Sequence, residues 1–310
     1  MRIVISEFMD EAAVAMLAAH HATEYDRDLV DRREELKAKL VDADALIVRN
    51  RTQVNVELLA AAPRLRVVGR LGVGLDNIDV AACTARDIAV IPATGANALA
   101  VAEYVIGAAM VLLRGTYFAT TEVAAGKWPR AALSSGREIA GKTLGIVGFG
   151  GIGRLTGRLG RALGMRVIGC DAELAADDAV WRDEGVEPRT LDALLAQSDV
   201  LTLHVPLVPA TRNLIDARRI AAMKPGAILV NTARGGVVDE AAVAGALSSG
   251  RLGGAALDVF EKEPPPAGSP LAGCPNLLLT PHIAGVTAES NERVSSMIAE
   301  RVIEALATRA

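Results

Sequence analysis

The residues best suited to chemistry begin in the stretch 142–153, where the apolar run 144–147 opens directly into Gly148, Gly150 and Gly153 at G-x-G-x-x-G spacing. Gly148 suits a tight turn, Gly150 leaves bare backbone where a pyrophosphate approaches, and Gly153 lets a following helix pack closely on the strand. The N-terminus of that helix offers unpaired N–H groups and the positive end of its dipole to the phosphates. A second apolar run, 165–170, ends at Asp171. This is close to the roughly 20-residue separation at which a carboxylate accepts from the adenosine ribose hydroxyls. An acid there repels a 2′-phosphate, so the pattern predicts NAD in preference to NADP. A glycine-rich turn followed by an ordinary strand-end acid is the plainer alternative. It has to explain why strand, glycines, helix, strand and acid occur in that order.

The elements that must position such a site follow from hydrophobic patterning. Short Val/Ile/Leu runs alternate with Ala-rich helical stretches, which predicts an α/β fold with mostly parallel sheets. Strands are expected at 2–6, 45–49, 65–70 and 88–91, a long helix at 98–115, and further strands at 167–170, 200–204, 227–231, 254–257 and 277–279. A final helix at 288–307 is expected to return to the first lobe. At 310 residues the chain exceeds the roughly 250–300 at which one core stops growing. Two doubly wound, Rossmann-like domains are expected, with the active-site cleft between them. The substrate-binding domain would be formed by 1–96 and 287–310, and the NAD-binding domain by 97–286.

Composition narrows the function classes. The chain is 51% hydrophobic but only 3% aromatic, as buried parallel strands built from Val, Ile, Leu and Ala require. A net charge of −4 without a basic stripe argues against nucleic acid as a partner. Glu7 comes too early for a secretory segment, and the longest apolar run, 104–113, is too short to span a bilayer. A cytoplasmic protein without membrane contact is expected. Cys83, Cys170 and Cys274 are widely spaced in apolar sequence, which predicts reduced, buried thiols. His20, His21, His204 and His282 form no metal-ligand spacing, so no metal site is expected.

Five blocks carry a family resemblance: residues 70–79 (RLGVGLDNID), 148–153 (GFGGIG), 231–236 (NTARGG), 258–264 (DVFEKEP) and 280–285 (TPHIAG). In this order they resemble the NAD-dependent D-isomer-specific 2-hydroxyacid dehydrogenases over almost the whole chain. Val48-Arg49, Val68-Gly69-Arg70 and residues 141–145 are most similar to the phosphoglycerate dehydrogenase branch. The regulatory C-terminal extension of some members is not expected here.

The residue types fit the implied reaction. A 2-hydroxy acid loses its hydroxyl proton as hydride leaves C2, so the site needs a base that works near neutrality, and imidazole is suited to that. His282 is the candidate, with a capping or core-edge histidine as the alternative. Glu263 is the candidate partner: a carboxylate beside imidazole favours the charged ring and fixes its tautomer. A solvated loop acid is the alternative for Glu263. Arg234 can hold the substrate carboxylate bidentately, unless it forms a strand-end salt bridge. The resemblance implies these three as the catalytic set. It also implies cofactor contacts from Gly148, Gly150, Gly151, Ile152, Gly153, Asp171, His204, Val205, Pro206, Thr232, Ala233, Arg234, Asp258, His282 and Gly285. Asp258 and the His204 segment have strand-end structure as an equal alternative.

In the other lobe, residues 71–75 resemble the family's carboxylate loop, in which the N–H groups of Val73 and Gly74 cradle an anion. Arg49 and Arg70 match cations at the substrate mouth, with a structural ion pair as the alternative for Arg70. Asn97 is either a substrate contact or the N-cap of the long helix. Two departures stand out: Gly151 where the phosphoglycerate branch commonly has Arg, and Asn50 in place of the usual Ser. The implied function is hydride transfer between NAD and a small D-configured 2-hydroxy or 2-oxo acid with an anionic distal group. Phosphoglycerate comes first, with sulfolactate, tartronate-like acids or hydroxypyruvate behind it. A glyoxylate or hydroxypyruvate reductase and an NAD-sensing corepressor are the alternatives. The helix 98–115 and the segment around Trp128 resemble an exposed dimerisation arm, so a homodimer is expected.

Overall fold

The computed structural model describes residues 1–308. Its strands are β1 (Arg2–Ile5), β2 (Ala22–Tyr25), β3 (Ala45–Val48), β4 (Val67–Arg70), β5 (Ala89–Pro92), β6 (Thr143–Val147), β7 (Arg166–Cys170), β8 (Glu187–Pro188), β9 (Val200–Leu203), β10 (Ala227–Asn231), β11 (Leu252–Leu257) and β12 (Leu277–Leu279). The chain forms two compact units. One is Met1–Asn97 with the described residues from Val286 onward, and the other is Ala98–Gly285.

The first unit holds a parallel five-stranded sheet in the order β2-β1-β3-β4-β5. Every residue of β3 is apolar and buried, because both faces of a parallel sheet are covered. Its alternate side chains serve two cores. Ala45 and Ile47 join Ile3, Ile5 and Val67 against Val294, Ile298, Val302 and Leu306 of the helix Ala288–Thr308. Leu46 and Val48 pack with Leu36, Leu40, Leu58 and Leu59 on the opposite face.

The second unit holds a parallel seven-stranded sheet in the order β12-β11-β10-β9-β6-β7-β8. Leu201, Leu203, Leu229 and Leu257 face one core. Leu144, Ile146, Val200, Ile228 and Val230 face the other, together with Val105, Ala109 and Leu112 of the helix Ala98–Arg114. That helix corrects the expectation of an exposed arm: ten of its residues are buried. Leu99, Glu103, Gly107, Met110 and Arg114 are its exposed residues, at helical spacing. The cysteines need a smaller correction, since Cys83 is buried while Cys170 and Cys274 are half-buried; all three are free thiols.

Two strands escaped the sequence reading. β2 has no buried residue and β8 has only two residues. Edge strands of this kind lack the apolar run by which a buried strand is recognised.

Candidate active site

In the second unit, β6 ends at Val147 and the chain turns through Gly148 at φ +91°. A Cβ on Gly148 would lie 2.4 Å from the His204 carbonyl oxygen, so only glycine fits this left-handed turn against the end of β9. The helix Gly151–Ala162 begins at Gly150, which provides no side-chain cap. A Cβ at Gly150 or Gly151 would meet nothing within 4 Å beyond its own chain neighbours and helix backbone. The first N–H groups of this helix can therefore serve a ligand anion. Asp171 braces the turn: Oδ2 accepts the N–H of Phe149 at 2.6 Å and Oδ1 accepts that of Glu173 at 2.8 Å. Each carboxylate oxygen keeps a further lone pair for ribose hydroxyls. Phe149 is itself buried and stacked on Trp181, with ring centroids 4.6 Å apart.

His204 leaves the end of β9 with Nε2 3.1 Å from Thr202 Oγ1. Burial of its ring pushes its pKa from 6.5 down to about 4, so the ring is neutral at physiological pH. Val205 is half-buried and Pro206 exposed in the loop that follows. Past β10, Thr232 Oγ1 is buried without a hydrogen-bond partner among the described residues. A buried hydroxyl without a partner and an open glycine turn, both at the carboxyl end of the same sheet, fit the donors and acceptors of a cofactor.

The candidate proton-transfer group sits on the turn after β12. His282 has φ +56°, a left-handed conformation uncommon for a residue with a side chain. Its N–H donates to the carbonyls of Asp258 (2.8 Å) and Thr280 (3.0 Å). Asp258, at the end of β11, is 1% exposed and locks the same turn. Its Oδ1 accepts from Thr280 Oγ1 at 2.6 Å and from the Ile283 N–H at 2.8 Å, while Oδ2 accepts the Ala284 N–H at 2.8 Å. Because the Thr280 hydroxyl hydrogen goes to Asp258, the Tyr104 hydroxyl at 2.6 Å donates to Thr280. Burial raises the Tyr104 pKa, which keeps that donor protonated.

His282 Nδ1 lies 2.8 Å from Glu263 Oε2, and the other Glu263 oxygen accepts the Phe260 N–H at 3.1 Å. A carboxylate only accepts, so Nδ1 carries the proton and Nε2 is left to exchange one. Arg234 is half-buried after β10. Its turn is tied by Asn231, whose amide donates to the Arg234 carbonyl at 3.0 Å and accepts the Ala233 N–H at 3.1 Å. A Cβ on Gly235 would come 1.8 Å from the Phe260 carbonyl oxygen. The Arg234 turn thus lies directly against the Glu263 loop. The neighbouring Glu261 pairs with Arg212 at 3.5 Å instead. Arg234, Glu263 and His282 therefore stand on adjoining loops at the carboxyl ends of β10, β11 and β12, the end of a parallel sheet where ligands bind.

In the first unit, Arg49 leaves the end of β3, donates to Asn291 Oδ1 at 2.6 Å and lies 5.6 Å from the centroid of the Phe8 ring. Burial lowers its pKa while Glu7 opposes the shift. Arg70 donates to the carbonyls of Gly74 (2.9 Å) and Leu71 (2.7 Å), so it shapes the 71–75 loop through backbone contacts. Val73 is exposed and Gly74 half-buried on that loop. Asn97, next to the start of the helix Ala98–Arg114, has a buried Oδ1 that accepts no hydrogen bond among the described residues, so its side chain makes no capping bond. Asp258 was expected among the cofactor contacts. Its carboxylate is turned inward, which favours the strand-end alternative.

Sequence reasoning missed Tyr104, Thr280 and Glu7 as parts of these arrangements. Tyr104 is far from Thr280 in sequence, and only a strand-end Thr before a Pro hinted at the second.

A family model described as D-isomer specific 2-hydroxyacid dehydrogenase, NAD binding domain, matches residues 106–284. The chain is 54% identical to (S)-sulfolactate dehydrogenase of Chromohalobacter salexigens, covering 99% of both chains. It is 39% identical to D-3-phosphoglycerate dehydrogenase of Methanocaldococcus jannaschii over 98% of this chain but 57% of that one. The crystal structure of NAD-dependent formate dehydrogenase from Staphylococcus aureus in complex with NAD is 28% identical and superposes with a TM-score of 0.82, covering 97% of this chain and 94% of that one. The chain belongs to the D-isomer specific 2-hydroxyacid dehydrogenases. It is an NAD-dependent oxidoreductase acting on the CH–OH group of 2-hydroxy acids. Among the described residues no single helix is long and apolar enough to cross a membrane.

Proposed function

We propose that the chain interconverts a small sulfonated 2-hydroxy acid of D-like configuration and its 2-oxo acid. The catalytic part of this reading rests on the 2.8 Å contact between His282 Nδ1 and Glu263 Oε2. The substrate class rests on 54% identity over 99% of both chains to (S)-sulfolactate dehydrogenase. This similarity supports a sulfonate in preference to the phosphate that the sequence blocks alone favoured.

Bound NAD supplies the hydride acceptor for the hydrogen on C2. His282 Nε2 takes the hydroxyl proton in oxidation and returns it to the carbonyl oxygen in reduction. Glu263 holds the ring by Nδ1 and fixes its tautomer. Arg234 grips the substrate carboxylate and stabilises charge at the C2 oxygen. Gly148, Gly150, Gly151, Ile152 and Gly153 present backbone to the pyrophosphate, and Asp171 accepts from the adenosine ribose. Val205, Pro206, Thr232 and Ala233 would contact the rest of the cofactor. Arg49, with the backbone of Val73 and Gly74, is assigned to the anionic groups of the substrate.

The configuration is consistent with the family. In sulfolactate the sulfur-bearing carbon outranks the carboxyl group, whereas the methyl of lactate ranks below it. The S descriptor therefore denotes the same spatial arrangement at C2 as D-lactate. Incubation with NAD and each sulfolactate enantiomer tests this: (S)-sulfolactate should yield NADH, and oxidation of the R enantiomer at an equal rate would contradict the reading. A homodimer is supported by the exposed Leu99, Met110, Tyr117, Phe118, Val123 and Trp128, a set of apolar side chains of the kind association covers. NAD dependence and free thiols fit a reducing, cytoplasmic setting.

A further inference from the structure

We infer that Glu7 is a positioning residue that sets the aim of Arg49, and through it the preference for a substrate with a distal anion. The inference rests on the assignment of Arg49 to that anion. Glu7 follows the end of β1 and is 4% exposed. Its carboxylate accepts four successive backbone N–H groups: those of Arg49 and Thr52 on Oε1, both at 2.9 Å, and those of Asn50 (3.3 Å) and Arg51 (3.1 Å) on Oε2. Buried Asn77 grips the same bend from its carbonyl side, donating to Thr52 O at 2.8 Å and Arg49 O at 3.4 Å. Ser6 Oγ and Thr52 Oγ1 are 2.9 Å apart beside it.

Successive N–H groups converging on one point form an anion-binding concavity. Here the chain's own carboxylate fills it, which has two consequences. The bend cannot offer those N–H groups to a substrate anion, so recognition at this strand end falls to the Arg49 side chain. A carboxylate near an anion subsite would otherwise repel the ligand. With its lone pairs committed to four donors and Arg49 nearby, Glu7 acts through geometry instead.

The isosteric Glu7→Gln substitution tests this because an amide has one acceptor oxygen. Whichever way the amide is turned, its NH₂ faces two backbone N–H donors, and the bend has to open. Asn77→Asp loosens the bend independently by setting a carboxylate against two carbonyls. With 3-sulfopyruvate and NADH, both variants should raise KM by about 10–100-fold, the size of one lost charge-assisted pair, with kcat within about threefold of the parent. Their kcat/KM for glyoxylate, which has no distal anion, should change by less than about threefold.

Arg49→Ala is measured alongside them. If it discriminates between the two substrates while Glu7→Gln and Asn77→Asp do not, the Arg49 assignment stands and the role of Glu7 is overturned. If Arg49→Ala itself lowers both substrates equally, the assignment and the inference fall together. A Glu7→Gln chain that unfolds, or loses NADH affinity, assigns Glu7 a general structural role and likewise overturns the inference.

Discussion

His282 Nδ1 and Glu263 Oε2 lie 2.8 Å apart although both side chains are substantially exposed and the residues are 19 positions apart. Each is held separately: His282 by the Asp258 carbonyl and Glu263 by the Phe260 N–H. The contact is thus set by two anchored loops and does not depend on burial. Glu263→Gln keeps the shape but replaces an acceptor-only carboxylate with an amide, whose NH₂ can face Nδ1 and leave the ring in the wrong tautomer. Turnover should fall by about tenfold or more while NADH affinity stays nearly unchanged. Parent-like turnover would remove Glu263 from the relay.

His282→Ala removes the proposed acid and base. Turnover should fall by about 10²–10⁴-fold, the usual size of such a loss, while NADH affinity measured by fluorescence titration stays nearly unchanged. Equal losses in turnover and cofactor affinity would assign His282 to cofactor binding.

Asp171 should give at least a tenfold preference for NADH over NADPH in kcat/KM, on the order of 1.4 kcal/mol. Asp171→Ala narrows the gap mainly by weakening NADH, since it removes a ribose acceptor and also the brace on the Phe149 N–H. Comparable use of both cofactors by the parent enzyme would show that the acid does not face the 2′ position.

Much of this arrangement is legible in the sequence. The buried strands announce themselves as apolar runs, and Gly148, Asp171, Arg234, Glu263 and His282 all lie at or just past the ends of such runs, where ligands gather. What stayed hidden depends on contacts between distant residues. Glu7 looked only like an acid that interrupts a hydrophobic start, and nothing local tells that its carboxylate would meet four N–H groups more than forty positions away. Asp258 presents the same difficulty in reverse. Its place in a family block suggested a ligand contact, whereas its three internal donors turn it toward the His282 turn. The helix Ala98–Arg114 looked exposed because alanine-rich sequence carries little apolar contrast, yet small side chains are what close packing on Leu144 and Ile146 requires.

His204 should make the fold acid-sensitive. Its folded pKa, about 4, lies below the ordinary value of 6.5, so between these values the unfolded chain binds a proton that the folded ring refuses. The contribution is complete above about pH 6.5 and is lost as pH falls toward about 4, with a slope of at most about 1.4 kcal/mol per pH unit. The fall in urea midpoint between pH 7.5 and 5.5 should be smaller in His204→Gln than in the parent. Identical falls would mean that His204 takes no part in acid unfolding.

The most direct test of the account is kcat/KM with NADH for four 2-oxo acids: 3-sulfopyruvate, 3-phosphohydroxypyruvate, hydroxypyruvate and glyoxylate. A charge-assisted contact to a distal anion contributes about 10–100-fold. The account therefore predicts that 3-sulfopyruvate exceeds hydroxypyruvate and glyoxylate by at least tenfold and also leads 3-phosphohydroxypyruvate. Hydroxypyruvate or glyoxylate turned over as well as the sulfonated acid would contradict it.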